Sequence, residues 1–316
     1  MNNKYLWPRQ LATALLGLVL FVLPWGLSGQ PPAGYYSSAA GQYGEELRST
    51  LHEIIRGHTR RSYTQLWTDF YHTDRKPGTE LVWDIYTDIP APGTPVYTFT
   101  FFEDQCVYTG AEGSCYNREH SFPTSWWGGG TSAADTMYTD LFHIHPVDGF
   151  VNSLRSNWPY GEVAVPTRVT MNGGRFGPNT YSYDGPSYTG NAFEPIDEYK
   201  GDLARNYFYM LTRYMHRIED WAGNTAMLEG KGFAPWALDM LLKWNDQDPV
   251  SQKEVDRNNA IFQIQGNRNP FIDFPEMACM IWGKDCVFPI AILQPTHYPA
   301  QPEAFDSISV RAYISH

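Results

Sequence analysis

The chain lacks a surplus of positive charge. Its 316 residues carry 23 Lys and Arg against 34 Asp and Glu, a net charge of −11. That balance excludes a histone-like binder of polyanions, so any nucleic-acid partner must be met by a local patch. Charged residues are sparse at 18%, while hydrophobic residues reach 42%. Such a composition supports a packed core and excludes wholesale disorder. Cysteine is scarce, with only Cys106, Cys115, Cys279 and Cys286. Neither sequence-local pair has the short spacing of zinc modules. Disulfides Cys106–Cys115 and Cys279–Cys286 are the simpler reading, one of the three connectivities that four cysteines allow. No internal repeat is present, and no apolar run reaches the roughly 20 residues of a membrane span.

The apolar run nearest that length, Leu11 to Leu27, follows Lys4 and Arg9 and ends beside the small residues Gly26 and Ser28. This is the pattern of a secretory leader, assigned to residues 1–29, with a retained anchor as the alternative. Lys4 and Arg9 are its only charged residues, so the remainder carries 21 basic and 34 acidic side chains, a balance of −13. Export to the periplasm or beyond agrees with disulfide use.

What is present is aromatic: 21 Tyr, 17 Phe and 11 Trp. These suit a rigid core with amphipathic surfaces. Leu47, Leu51, Ile54 and Ile55 have the spacing of a helix within residues 41–58, and Tyr63, Leu66, Trp67 and Phe70 that of a second. Residues 80–86 read as a strand. So do Tyr97, Phe99 and Phe101, which alternate with Thr98 and Thr100. Leu203 to Ile218 and Trp236 to Trp244 mark further helices. Ser251 and Glu254 form a capping box for a helix that ends at Gly266. Between Cys106 and about Pro195 the periodicity fades, and a long irregular stretch is expected to be functional. The order predicts an α+β fold, with one domain over residues 30–290 and an irregular tail over 291–316.

Two polar segments lie in that stretch: Asn117-Arg118-Glu119-His120-Ser121-Phe122-Pro123, and Asp140 to Asn157. Phosphodiester hydrolysis needs a base for the attacking water, and a histidine titrates near working pH. It needs charge neutralisation, which a hard cation held by a few oxygens supplies. It also gains from an arginine fork on the phosphate. His120 fits the base, Glu119 and Asn152 the metal oxygens, and Arg155 or Arg118 the clamp. Glu119 and His120, adjacent on an extended segment, are expected to point to opposite sides.

These segments, with Asp248-Pro249-Val250-Ser251 and Gln265-Gly266-Asn267-Arg268-Asn269-Pro270-Phe271-Ile272-Asp273, resemble the bacterial endonuclease I family. Its members are exported nucleases of the ββα-metal (His-Me finger) superfamily, and the likeness runs over roughly residues 35–285. The resemblance implies a strand–loop–helix finger embedded in a mixed helical domain with a small sheet. It implies His120 as general base and Glu119 and Asn152 as ligands of Mg²⁺, or of Mn²⁺ or Ca²⁺. It further implies a non-specific endonuclease acting on DNA and often RNA, leaving 5′-phosphate and 3′-hydroxyl ends. His143 matches a family position and is expected to orient the metal site or the scissile phosphate. Some members carry a phosphate-stabilising arginine between base and metal helix, but residues 121–154 here contain no Arg or Lys. Arg155 is therefore the first candidate clamp and Arg118 the second.

Each assignment has a plainer alternative. Asn152 alone suits a turn or cap. Arg155, Ser156 and Asn157 suit a helix end as well as substrate contact. Arg257, Arg268 and Asn269 suit buried hydrogen bonding as well as a phosphate groove. Asp140 and Asp148 suit backbone acceptors. A local positive cleft is expected from Arg118, Arg155 and some of Arg205, Arg213, Arg217, Arg257 and Arg268. Other functions remain open: a non-catalytic glycan- or surface-binding protein rich in aromatics, or a zinc hydrolase built on His143 and His145. The protein is expected to act as a monomer.

Overall fold

The computed structural model describes residues 31–88, 95–106, 110–128 and 136–283. The expected leader, the tail and Cys286 lie outside those residues. Helix α1 (Gly44–Ile55) buries Leu47, Leu51 and Ile55 completely, as its stripe predicts. Helix α2 (Leu66–Thr73) buries Leu66 and Phe70. The two expected strands that follow are absent. Residues 80–88 and 95–101, as far as they are described, form only isolated bridges, Leu81 with Thr100 and Arg75 with Val82. The chain curls instead around the Asp84 carboxylate, which accepts the Tyr86 amide at 2.7 Å and the Thr87 hydroxyl at 2.7 Å. Such a local acceptor competes with a sheet ladder for the backbone.

Strand β1 (Tyr116–His120) pairs antiparallel with β2 (Ile144–Asp148), with Tyr116 opposite Asp148 and His120 opposite Ile144. Helix α3 (Gly149–Arg155) starts directly from β2. Asp148 caps it: Oδ1 accepts the Val151 amide at 2.8 Å, and Oδ2 accepts the Gly113 amide at 2.7 Å. A three-stranded antiparallel sheet follows, β3 (Arg168–Val169), β4 (Arg175–Pro178) and β5 (Asn191–Glu194). The expected irregular stretch thus holds short strands, too brief to show a period of two.

Helix α4 (Lys200–Arg213) is the axis of the molecule, with all 14 of its residues buried. The expected single helix to Ile218 breaks after it. Tyr214 leaves helical geometry (φ −115°, ψ 28°) while its hydroxyl reaches Asp140 at 2.8 Å. A short 3₁₀ turn then leads to α5 (Ile218–Trp221) and to the hairpin of β6 (Leu228–Glu229) and β7 (Gly232–Phe233). Helices α6 (Pro235–Gln247), α7 (Gln252–Gln265), α8 (Pro270–Asp273) and α9 (Glu276–Trp282) complete the order. The capping box forms, with both reciprocal bonds between Ser251 and Glu254, and Gly266 ends α7 in the left-handed region at φ 86°. Around α4 pack α1, α6 and α8.

Gly201 shows how closely α4 meets α6. A Cβ there would collide with the carbonyl oxygen of Asp248, the residue that caps α6, and lie 2.7 Å from the Arg205 guanidinium. Arg205 in turn grips Glu254 bidentately at 2.5 and 2.8 Å. The expected Cys106–Cys115 disulfide is present and sits at the entrance to β1. Cys279 is also disulfide-bonded. Among the described residues no helix is long and apolar enough to cross a membrane.

Candidate active site

Strand β1 and helix α3 form one wall of a cavity of about 350 Å³. Arg118, Glu119 and His120 border it from β1, and Asn152 and Asn157 from α3 and the residues after it. Pro123, Thr124, Ser125 and Ser156 complete the rim. Glu119 and His120 meet the same space despite their alternation, because His120 is the last residue of its strand.

The His120 ring is held from three sides. Tyr138 stacks on it at 5.1 Å between centroids, with Tyr63 beyond at 6.2 Å, and His143 lies at 5.5 Å. Its Nε2 lies 3.1 Å from the Tyr138 carbonyl oxygen. A carbonyl only accepts, so Nε2 carries the hydrogen and Nδ1 holds the free lone pair. Burial pulls the ring's pKa down to about 3, and the neighbouring His143 adds to the effect. The free ring is therefore neutral throughout the physiological range.

Glu119 is 3% exposed. Its Oε1 accepts the Tyr86 hydroxyl at 2.9 Å and Nη1 of Arg155 at 3.0 Å. Both bonds fall on one oxygen, which leaves Oε2 for the cavity. Burial holds the carboxyl above its ordinary value, and Arg155 and Tyr86 oppose that without cancelling it. Asn152 donates Nδ2 to the Arg118 carbonyl oxygen at 3.2 Å. That bond fixes the amide orientation and leaves Oδ1 free of it. Glu119 Oε2 and Asn152 Oδ1 are the two oxygens that could hold a hard cation here.

The guanidinium of Arg118 lies 3.5 Å from the Tyr63 ring centroid and 4.3 Å from that of Trp67. Its Nη1 donates to the Tyr63 carbonyl oxygen at 2.8 Å, and its Nε is buried without a hydrogen-bond partner. Among the described residues no carboxylate pairs with it. Arg155 is the opposite case, and its expected role as phosphate clamp is corrected. It is wholly buried, with Nη1 on Glu119 and on the His120 carbonyl oxygen at 3.0 Å each. Its Nη2 takes the Ser121 carbonyl oxygen at 2.5 Å and the Tyr207 hydroxyl at 3.1 Å. A guanidinium so occupied meets no substrate.

Arg268 is corrected likewise. It is 2% exposed, and its fork is spent on Asp273 at 2.7 Å twice and on Asn259 at 2.9 Å. Arg205 and Arg257 are buried on Glu254 and Asp74. None of these, nor Arg213 or Arg217, borders the cavity. Among the described residues the broad positive cleft therefore reduces to Arg118. His143 is buried, with Nε2 at 2.7 Å from the Met137 carbonyl oxygen, so it meets the His120 ring and not the cavity. His145 faces away toward Asn206 at 2.9 Å, so the two histidines do not converge. Among the described residues no group of three or more His, Cys, Asp or Glu could hold a metal. Asp140 and Asp148 are structural acceptors, as their plainer reading has it: Asp140 takes the Tyr209 and Tyr214 hydroxyls at 2.8 Å each.

The sequence reading missed Tyr63, Tyr86 and Tyr138. Nothing in their spacing marks them, since tyrosine is common throughout the chain and most of it is core.

With this geometry in place, comparison with known proteins is direct. The family model for endonuclease I matches residues 43–276. The chain is 38% identical over 258 residues to an extracellular ribonuclease of Bacillus amyloliquefaciens, spanning 78% of each chain. It is 36% identical over 253 residues to an extracellular ribonuclease of Bacillus subtilis (strain 168), again spanning 78% of each. Endonuclease-1 of Buchnera aphidicola subsp. Baizongia pistaciae is 31% identical over 134 residues, which is 42% of this chain and 46% of that one.

Proposed function

The chain belongs to the endonuclease I family and is thereby a phosphodiester-hydrolysing nuclease, and we propose that it is an exported, metal-dependent endonuclease cutting DNA and RNA without sequence preference. Membership displaces the glycan-binding and zinc-hydrolase alternatives. Ribonucleic acid belongs in the substrate range because the two relatives spanning most of the chain are named extracellular ribonucleases. The same names support export, with residues 1–29 as the leader. The catalytic unit is then 30–290, acting as a monomer.

One observation carries the mechanism: the Tyr138 carbonyl fixes the His120 tautomer, so Nδ1 is the basic atom beside Glu119 and Asn152. His120 Nδ1 takes the proton from the attacking water as its oxygen approaches phosphorus. The low pKa of the free ring is no obstacle. An incoming phosphodiester is anionic and favours the imidazolium that forms. Arg118 replaces Arg155 as the phosphate clamp, through the side of its fork that has no partner. Asn157 and Ser125, which share a 3.2 Å hydrogen bond at the rim, meet the flanking sugar.

Glu119 Oε2 and Asn152 Oδ1 fit a hard divalent cation, since both are oxygens and no thiolate borders the cavity. We assign Mg²⁺, with Mn²⁺ or Ca²⁺ as substitutes; when bound, it neutralises charge on the phosphoryl and leaving oxygens. The β1–β2–α3 unit is read as the ββα-metal finger. Cleavage then leaves 5′-phosphate and 3′-hydroxyl ends.

The test is a digest of supercoiled plasmid and of total RNA, with and without EDTA. Both substrates are cut in Mg²⁺, and chelation stops the reaction until excess Mg²⁺ is restored. Undiminished cutting in EDTA would sink the metal assignment.

A further inference from the structure

We propose that Tyr86 and Tyr160 are positioning residues for the metal-holding carboxylate of Glu119, an inference that rests on the metal reading above. Both tyrosines are buried, at 3% and 0% exposure, and neither borders the cavity. The Tyr86 hydroxyl lies 2.9 Å from Glu119 Oε1 and 2.6 Å from the Tyr160 hydroxyl. A carboxylate only accepts, so the single Tyr86 hydrogen goes to Glu119. The hydrogen between the two phenols therefore comes from Tyr160. The relay runs one way, Tyr160 to Tyr86 to Glu119, and each bond polarises the next.

Arg155 grips the same Oε1 from another element and lies 4.5 Å over the Tyr160 ring. Two donors on one oxygen leave the carboxylate little freedom to rotate. That is how Oε2 stays turned to the cavity.

The loop that carries Tyr86 is tied to the second metal oxygen as well. Asp84 accepts the Tyr86 amide on Oδ1 and the Asp148 amide on Oδ2, each at 2.7 Å. Asp148 then caps α3, the helix of Asn152. One buried carboxylate thus fixes the tyrosine relative to both ligands. Tyr160 is held by its own backbone, where Gly161 donates to the Phe193 carbonyl at 3.1 Å and Phe193 returns a bond to Pro159 at 3.0 Å. Outer partners of this kind set ligand orientation, and losing one lowers metal affinity by about 10- to 100-fold.

The experiment is a Mn²⁺ titration of the leader-free protein without nucleic acid, followed by electron paramagnetic resonance. It compares the parent, Tyr86→Phe and Glu119→Gln. Tyr86→Phe removes one hydroxyl and keeps the ring. Its Mn²⁺ dissociation constant should rise by about tenfold or more, in a protein that still folds and unfolds cooperatively. Its plasmid-cutting rate should return toward parental at saturating Mn²⁺. An unchanged or tighter Mn²⁺ constant in folded Tyr86→Phe overturns the proposal. If that variant does not fold, Tyr160→Phe decides in its place. A weakening by roughly two- to threefold is expected there from the lost polarisation, and none overturns the proposal. A parent that binds no Mn²⁺, or a Glu119→Gln variant that binds it equally well, sinks the metal reading itself.

Discussion

Arg118 and Arg155 flank the same two residues, Glu119 and His120, yet they do opposite work. Arg155 is wholly buried, and four acceptors on three elements occupy its two terminal nitrogens. Arg118 is half-buried, gives one hydrogen bond to a carbonyl, and rests on two aromatic faces with its Nε unpartnered. The first guanidinium is sealed off from any phosphate, its terminal nitrogens spent and its Nε buried away from the cavity. The second is pre-ordered by stacking and retains its donors, so it loses little entropy on meeting one. The same contrast separates Asp140, saturated by two phenols and an amide, from Glu119, whose second oxygen remains open. Of these four groups, the two that border the cavity are the ones that keep an open donor or acceptor there.

The comparison breaks most sharply at His120. Replacing it by Ala removes the base but no hydrogen bond that the core depends on, apart from that to Tyr138. Plasmid nicking should fall by about 10³- to 10⁴-fold, with the thermal midpoint kept. Parental digestion by this variant would place the base elsewhere. Arg155→Ala tests the other side. It strands the Glu119 carboxylate and three other acceptors in a buried site, and it should lower unfolding free energy by about 3–5 kcal/mol, read by urea denaturation. A variant as stable as the parent but catalytically dead would make Arg155 a substrate group after all.

Arg118→Ala should act in the reverse sense. Losing charge-assisted bonds to phosphate is worth about 1.5–3 kcal/mol, which is roughly a 10- to 100-fold fall in kcat/KM. The salt dependence of binding should flatten by about one unit of slope, while denaturant stability changes little. A large stability loss with normal kinetics would return Arg118 to the scaffold.

How much of this was legible beforehand follows the same divide. The helices were readable where burial is one-sided: Leu47, Leu51 and Ile55 form a stripe, and the Ser251–Glu254 box closes as its residues require. The strands over 80–101 were misread because alternation at Tyr97, Phe99 and Phe101 reports burial, while Asp84 decides where the backbone turns. The cavity-lining trio Glu119, His120 and Asn152 was visible because its residue types are chemically rare neighbours. Which arginine borders the cavity was not, since Arg118 and Arg155 are the same letter and only three-dimensional partners tell them apart. The tyrosines behind Glu119 were invisible for a related reason: a hydroxyl aimed at a carboxylate leaves no trace in periodicity.

The smallest expected effect concerns Ser156, a cavity-rim residue with φ 53° and ψ −124°, which closes α3. A non-glycine residue in that region stores about 1–3 kcal/mol of strain. Ser156→Gly releases it, against the roughly 0.5–1 kcal/mol that glycine's extra unfolded freedom takes back. The variant should therefore be more stable by about 1 kcal/mol in urea denaturation. Its amide bond to the Asn152 carbonyl, 2.8 Å long, is backbone and survives the change. Asn152 should stay in place, and the cutting rate should remain close to parental. A less stable variant would mean that the serine hydroxyl, not the backbone, sets the energy at this turn. The rim would then join the saturated scaffold, and the boundary between the two classes of polar residue would have to be drawn closer to Glu119 and Asn152.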